Sequence, residues 1–265
     1  MPQAVAPVPF LKMHGLGNDF VVLDLRKGGE VPPQSALAAL ADRRRGVGCD
    51  QVVLLLPPRS PGADAFVRNF NAPHATEIEA CGNATRCAAR LIAEERRRPE
   101  VLLESVAGLL PCTLEADGRV TADMGPARVE ALTLPLPGGP AAVNVGNPHC
   151  VLFVDDLEAT DVGRLGPRYE RDPAFPKRAN VSFVQVTGPA TIRLRVWERD
   201  TGLTPACGSA ACATVAAAAA RGLVARRVRV TLDGGDLDIH WREADDHALM
   251  TGPAAYVFYG AYNPR

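Results

Sequence analysis

EACGNATRCAARL (79–91) sets a cysteine and a glycine at the mouth of a helical pattern, and PACGSAACATVAA (205–217) repeats the arrangement Ala-Cys-Gly-(Asn/Ser)-Ala. Cys81 and Cys207 therefore hold equivalent places in two halves of the chain. At a helix N-terminus the unpaired backbone N–H groups and the macrodipole favour negative charge, so a thiol there is expected to fall below its usual pKa of about 8.5. Gly82-Asn83 and Gly208-Ser209 let the backbone come close to a ligand and can present N–H groups to a carboxylate. Two such mouths facing one cavity would hold a carboxylate between them with a thiol on either side. That arrangement suits taking a proton from one face of a carbon and returning one to the other. Cys87 and Cys212, deeper in their helices, read as small core residues, as do Cys49, Cys112 and Cys150.

Outward from these segments, short β-rich apolar runs at 51–56, 150–154, 181–186, 191–196 and 228–232 are bounded by Gly, Pro or Asp and predict strands. Helical patterns cover 35–45, 84–98 closed by Pro99, and 210–221 closed by Gly222. Asp117-Gly118 is a turn signal, and PLPGGP (135–140) a loop beyond it. The boundary between the halves is placed near residue 118, giving an N-terminal domain of 1–118 with 254–265 and a C-terminal domain of 119–253.

Composition narrows the functional classes. The chain has 265 residues, 47% of them hydrophobic, enough for one large core or two ordinary ones. Lys and Arg number 29 against 30 Asp and Glu, which leaves no charge excess to hold nucleic acid or an anionic membrane. The basic runs at 43–45 and 96–98 read as solvated surface. No secretory signal opens the sequence and no run is oily enough to span a bilayer, so a soluble cytoplasmic protein is expected. Seven cysteines at irregular spacings argue against a disulfide framework, and the five scattered histidines form no zinc spacing with them.

The remaining motifs carry a resemblance. KMHGLGNDF (12–20), GCDQ (48–51), FNA before EACGN, GNPHCV (146–151), ANVSFV (179–184), WERDTGLTPACGSAAC (197–212), GGDL (234–237) and MTGPA (250–254) run in the order found in the diaminopimelate epimerase family, which the chain resembles from residue 12 to residue 254. The resemblance implies an α+β fold of two pseudo-symmetric domains. Each is a β-barrel-like sheet wrapped around a central helix, the last strand returns to the first domain, and the active site lies between the two. It implies a cofactor-independent isomerase of lysine biosynthesis that interconverts LL- and meso-diaminopimelate, without pyridoxal phosphate or metal.

Carried over residue by residue, the resemblance makes Cys81 and Cys207 the catalytic acid/base pair, with His149 and Glu198 as the polar pair at the reacting centre. Glu198 also receives the substrate ammonium. Gly82, Asn83, Gly208 and Ser209 bind the carboxylate at that centre, and Asn18, Gln51, Asn71, Asn147, Asn180 and Arg199 complete the substrate-binding set, several of them at the distal amino-acid end. Arg199 has independent support, since a guanidinium grips a carboxylate with two parallel hydrogen bonds. The expected partner is a small amino-acid substrate, with a homodimer as the assembly to test. Three features depart from the family pattern: Ala84 and Ala210 replace glycine, Pro73-His74-Ala75 replaces a shorter Asp-Gly turn, and Asp200 stands where glycine usually follows Glu-Arg. The competing readings are a racemase of the histidine- or proline-racemase kind on the same fold, and a non-catalytic thiol redox or binding protein.

Overall fold

The computed structural model describes residues 7–79 and 81–263. The chain divides into two units, Met1–Val120 with Pro253–Arg265, and Thr121–Gly252.

In the first unit, β1 (Val8–Gly15) and β2 (Asn18–Asp24) form a hairpin closed at Leu16-Gly17, both at positive φ (56° and 84°) as a tight two-residue turn requires. β3 (Gln51–Leu56) lies parallel to β2, and β4 (Ala65–Asn71) runs antiparallel to β3. β5 (Thr76–Ile78) is antiparallel to β4, β6 (Glu100–Ser105) parallel to β4, and β7 (Gly108–Leu114) antiparallel to β6. From the far end of the chain, β18 (Ala255–Tyr262) returns to pair with β1. Helix α2 (Gly82–Arg96) packs inside these strands, against β1, β2, β4, β6 and β7. Helix α1 (Gln34–Ala41) covers the other face of the sheet, where Leu37 and Leu40 meet Val21, Leu23, Val52 and Leu54. Strands covered on both faces need apolar residues throughout, which is why Val52–Leu55 carry no polar alternation.

The second unit repeats this wiring. β10 (Ala141–Asn144) and β11 (Pro148–Phe153) make the hairpin, β12 (Asn180–Gly188) lies parallel to β11, and β13 (Thr191–Glu198) antiparallel to β12. β14 (Gly202–Thr204) and β15 (Arg227–Leu232) pair with opposite ends of β13, antiparallel and parallel to it, followed by β16 (Gly235–Trp241) and β17 (His247–Gly252). β8 (Val120–Pro126) pairs with β17, and β9 (Arg128–Ala131) pairs with β10 as β18 does with β1. Helix α4 (Gly208–Ala220) is the inner helix and α3 (Val162–Glu170) the outer one. Every residue of α4 from Ala210 to Ala218 is buried, and its small side chains let the surrounding strands close in on all sides.

The inner helices and the strand runs agree with the sequence expectation to within about two residues at most boundaries. Helix α1 stops at Ala41, short of the expected Arg45, because the Asp42 carboxylate captures the N–H groups of Arg44 (2.7 Å) and Arg45 (2.9 Å). Helix α3 has no counterpart among the helical patterns of the sequence, and Gly163, Gly166 and Pro167 within it all disfavour helix. Asp161 caps it by accepting from Arg164 N (3.0 Å), and Gly166 makes room for Trp197, whose ring would sit 2.4 Å from a Cβ there. The basic runs also do more than face water: Arg43 bonds Asp19 and Asp50, while Arg96 and Arg98 both reach the buried carboxylate of Asp64. Cys49, Cys87, Cys112, Cys150 and Cys212 are all buried, as core residues should be.

Candidate active site

Cys81 is the N-cap of α2 at φ −137°, ψ 114°, and Cys207 the N-cap of α4 at φ −131°, ψ 112°. Two segments with few identities thus place their thiols on helix mouths of matching geometry, where the first-turn N–H groups point out of the helix and favour an anion.

In the first unit, Asn18 opens β2, Gln51 opens β3 and Asn71 closes β4, which brings all three to the same rim. The Cys81 thiol lies 3.7 Å from Oδ1 of Asn18, and Nδ2 of Asn83 donates to the same oxygen at 3.2 Å. Gln51 and Asn71 face each other in register, and neither Oε1 of Gln51 nor Oδ1 of Asn71 has a hydrogen-bond partner among the described residues. Buried acceptors left open at a strand rim fit an incoming ammonium.

The second unit places its residues at the equivalent rungs. Asn180 opens β12 opposite His149 of β11, and Glu198 closes β13 as Asn71 closes β4. Oδ1 of Asn180 accepts from the backbone N–H of Arg199 (3.0 Å), and Oδ1 of Asn147 lies 2.8 Å from Nε2 of His149. Thr204 donates its hydroxyl to Glu198 at 2.6 Å, and the Ser209 hydroxyl sits 3.5 Å from the sulfur of Cys207. The Arg199 guanidinium donates to the carbonyl of Lys177 at 3.2 Å.

Electrostatics in this unit correct one expectation. The helix mouth does not leave Cys207 with a lowered pKa: burial drives it well above the usual value, and the negative charge of Glu198 adds to the effect. The Ser209 hydroxyl and the N–H of Ala210 oppose the shift without cancelling it. His149, fully buried, is lowered to about 3 by burial and then by the positive charge of Arg199, so it is a neutral imidazole at pH 7. Its Nδ1 has no partner among the described residues, unlike a satisfied core histidine. Among the described residues no three His, Cys, Asp or Glu side chains converge as a metal site, and no helix is long and apolar enough to cross a membrane.

Residues that sequence reasoning passed over also stand here. Asp50 and Arg43 adjoin Asn18, Arg86 adjoins Asn83, Thr204 bonds Glu198, and Glu170 brackets the Glu198-Arg199 turn by accepting from Trp197 Nε1 (2.8 Å) and Asp200 N (3.1 Å). Asp50 and Arg86 fall inside the quoted motifs; nothing local marks Glu170.

A family model described as diaminopimelate epimerase matches residues 10–130 and 141–257. The diaminopimelate epimerase of Rhodospirillum centenum is 53% identical over 266 residues, covering 95% of this chain and 91% of that protein. The chain belongs to the diaminopimelate epimerase family. The enzyme of the same name from Gluconobacter oxydans is 50% identical, with 95% and 97% covered. Among solved structures, a hydroxyproline epimerase from Agrobacterium vitis superposes with a TM-score of 0.73 at 19% identity, covering 98% of this chain and 93% of that one, a likeness of fold alone.

The family's glycine positions can now be read physically. Ala84 and Ala210 lie within the first turns of α2 and α4, fully buried, and neither has positive φ, so the extra methyl favours helix. Asp200 does sit at φ 63°, the conformation for which glycine is suited, and its carboxylate is paired with Arg178. The Pro73-His74-Ala75 segment leaves Asn71 in register with both Gln51 and Thr76.

Proposed function

We propose that this chain interconverts LL- and meso-diaminopimelate by a two-base mechanism in which Cys81 and Cys207 exchange the Cα proton. The observation that carries the reading is the matched cap geometry of the two thiols in a chain of this family. One cysteine, as thiolate, takes the proton from Cα; the other, as thiol, gives one to the opposite face. The N–H groups of Gly82, Asn83, Gly208 and Ser209 receive the carboxylate and stabilise the charge that builds on it. Glu198 accepts the substrate ammonium, and that cation offsets the charge which raises Cys207, so that binding substrate eases proton release from the thiol. Neutral His149, whose Nε2 donates to Oδ1 of Asn147, presents Nδ1 as a hydrogen-bond acceptor beside the centre without adding charge. Gln51, Asn71, Asn180 and Arg199, with Asn18, hold the rest of the substrate.

The test is Cα deuterium incorporation in deuterated water, followed by NMR on diaminopimelate, lysine, histidine and proline. Diaminopimelate should exchange fastest, and Cys81→Ala or Cys207→Ala should each abolish epimerisation. Faster exchange into histidine or proline, or ordinary turnover by either alanine variant, would defeat the reading.

For the assembly we propose a homodimer formed through β18. Four successive residues of this strand, Tyr256, Val257, Phe258 and Tyr259, are exposed, the last at 87%, and β1 is the strand paired with it among the described residues. Apolar side chains on an unpaired strand edge invite pairing with a second copy. Light scattering on Tyr259→Glu should then report a smaller mass than the parent chain. The cytoplasm is the compartment we assign, supported by seven cysteines at spacings that suit no disulfide framework.

A further inference from the structure

Two amide side chains stand beside Cys81, and the groups at their outer ends fix which way each of them points. Arg86 carries only donors, so the Asn83 atom 2.7 Å from it is Oδ1, which turns Nδ2 of Asn83 toward Asn18. Asp50, as a carboxylate, carries only acceptors, so the Asn18 atom 3.0 Å from it is Nδ2, which turns Oδ1 toward Asn83 and the thiol. The two ends dictate the same polarity independently. The hydrogen bonds therefore run one way, from Arg86 through Asn83 and Asn18 to Asp50, and the Cys81 thiol joins at the midpoint by donating to Oδ1 of Asn18.

We propose that Asp50 and Arg86 are positioning residues that lock this chain and so hold the Asn18 carbonyl oxygen, rather than its amide nitrogen, against the thiol of Cys81. Both ends are built to be rigid. Arg86 is fully buried, and it also donates to the carbonyls of Gly82 (3.4 Å) and Pro253 (3.2 Å). Gly15 leaves it space, since a Cβ there would come within 3.0 Å of the guanidinium and 3.2 Å of Asn83 Cβ. At the other end Asp50 is clamped by Arg43 at 2.6 Å and by the N–H of Asp19 at 3.1 Å, while Arg43 also bonds Asp19 at 2.6 Å. Lys12 closes the network, 2.5 Å from Asp19 and bonded to the carbonyl of Gly48. A sulfur facing a fixed acceptor is favoured as thiol; a flipped amide would instead offer it a donor and favour thiolate. The chain thus sets the resting protonation of one member of the acid/base pair, an inference that rests on Cys81 being catalytic.

The experiment is peptide-resolved alkylation of Cys81 by iodoacetamide across the alkaline pH range, on the full chain without substrate. The charged groups of this network around Cys81 are Lys12, Asp19, Arg43, Asp50 and Arg86, exposed Glu79 precedes it in sequence, and the buried thiol of Cys87, pushed up to about 12 chiefly by burial, feels the charge of Cys81 from the same helix. Asp50 is 44% exposed at its side chain, so substitution there should leave the fold intact, and thermal unfolding checks this. Asp50→Asn weakens the lock and removes a charge, whereas Asp50→Glu keeps the charge and displaces the carboxylate. Both should lower the Cys81 midpoint by roughly 0.5–1 pH unit, about a three- to tenfold gain in thiolate, with Cys207 unmoved as internal reference. A midpoint unmoved in both variants, or moved in Asp50→Asn alone, overturns the proposal. Because no turnover is needed, failure here is distinct from failure of the catalytic reading, which would show as an active Cys81→Ala variant.

Discussion

Gln51 and Asn71 face each other across the β3–β4 ladder, each with a buried side-chain oxygen that no donor among the described residues reaches. A polar atom buried without a partner costs stability, on the order of 1–3 kcal/mol, unless a ligand supplies the hydrogen bond. Replacing Asn71 by Leu, of similar shape, should leave stability in urea within about 1 kcal/mol of the parent or raise it, while KM for diaminopimelate increases tenfold or more. Denaturation and steady-state kinetics on the same preparation check both halves.

Glu198 raises Cys207 by its negative charge, after burial. Glu198→Gln removes the charge and leaves the burial, so the alkylation midpoint of Cys207 should fall but stay above that of an exposed cysteine. Turnover should nonetheless drop at least a hundredfold, because the substrate ammonium loses its counter-charge. Rates of thiol modification against pH, with and without the substitution, give the sign directly.

His149 carries a pH dependence of stability. Its pKa is lowered from an ordinary 6.5 to about 3, so between those values the unfolded chain binds more protons than the folded one. The stabilisation is complete above about pH 6.5 and is lost as pH falls toward 3, with roughly 2–3 kcal/mol gone by pH 4.5. Urea midpoints at a series of pH values should show this slope, and His149→Gln should flatten it.

Asp200 holds a left-handed backbone at φ 63° while its carboxylate pairs with Arg178 at the surface. Asp200→Gly relieves the first and forfeits the second, two effects of about 1 kcal/mol or less and opposite sign. Thermal stability and diaminopimelate turnover should both stay close to those of the parent. A large loss of turnover would mean that the Asp200 carboxylate, 3.9 Å from Nε of Arg199, helps to seat that guanidinium.

The local code of this chain is legible without coordinates wherever neighbours in sequence are also the neighbours that matter. The strand 51–56 and the starts and stops of α2 and α4 all follow from residues within a few positions of each other, and so does the placing of Cys81 and Cys207 on two helix mouths. The ordered motifs likewise name Asn18, Gln51, Asn71, His149 and Glu198 without saying what touches them. Helix α3 is different: its glycines and proline argue against it, and what retains it is Trp197 seated on Gly166 and Glu170 bonded to that same ring, some thirty residues away. The charge state of the thiols is also a tertiary property. A helix mouth alone lowers a thiol, but burial and Glu198 reverse the sign at Cys207, and at Cys81 the thiol meets an amide from β2 that Asp50 and Arg86 aim. Periodicity and capping act over one or two turns of chain and so are written in it; burial and hydrogen-bond polarity depend on which distant segments fold against a group, and only the packed structure decides them.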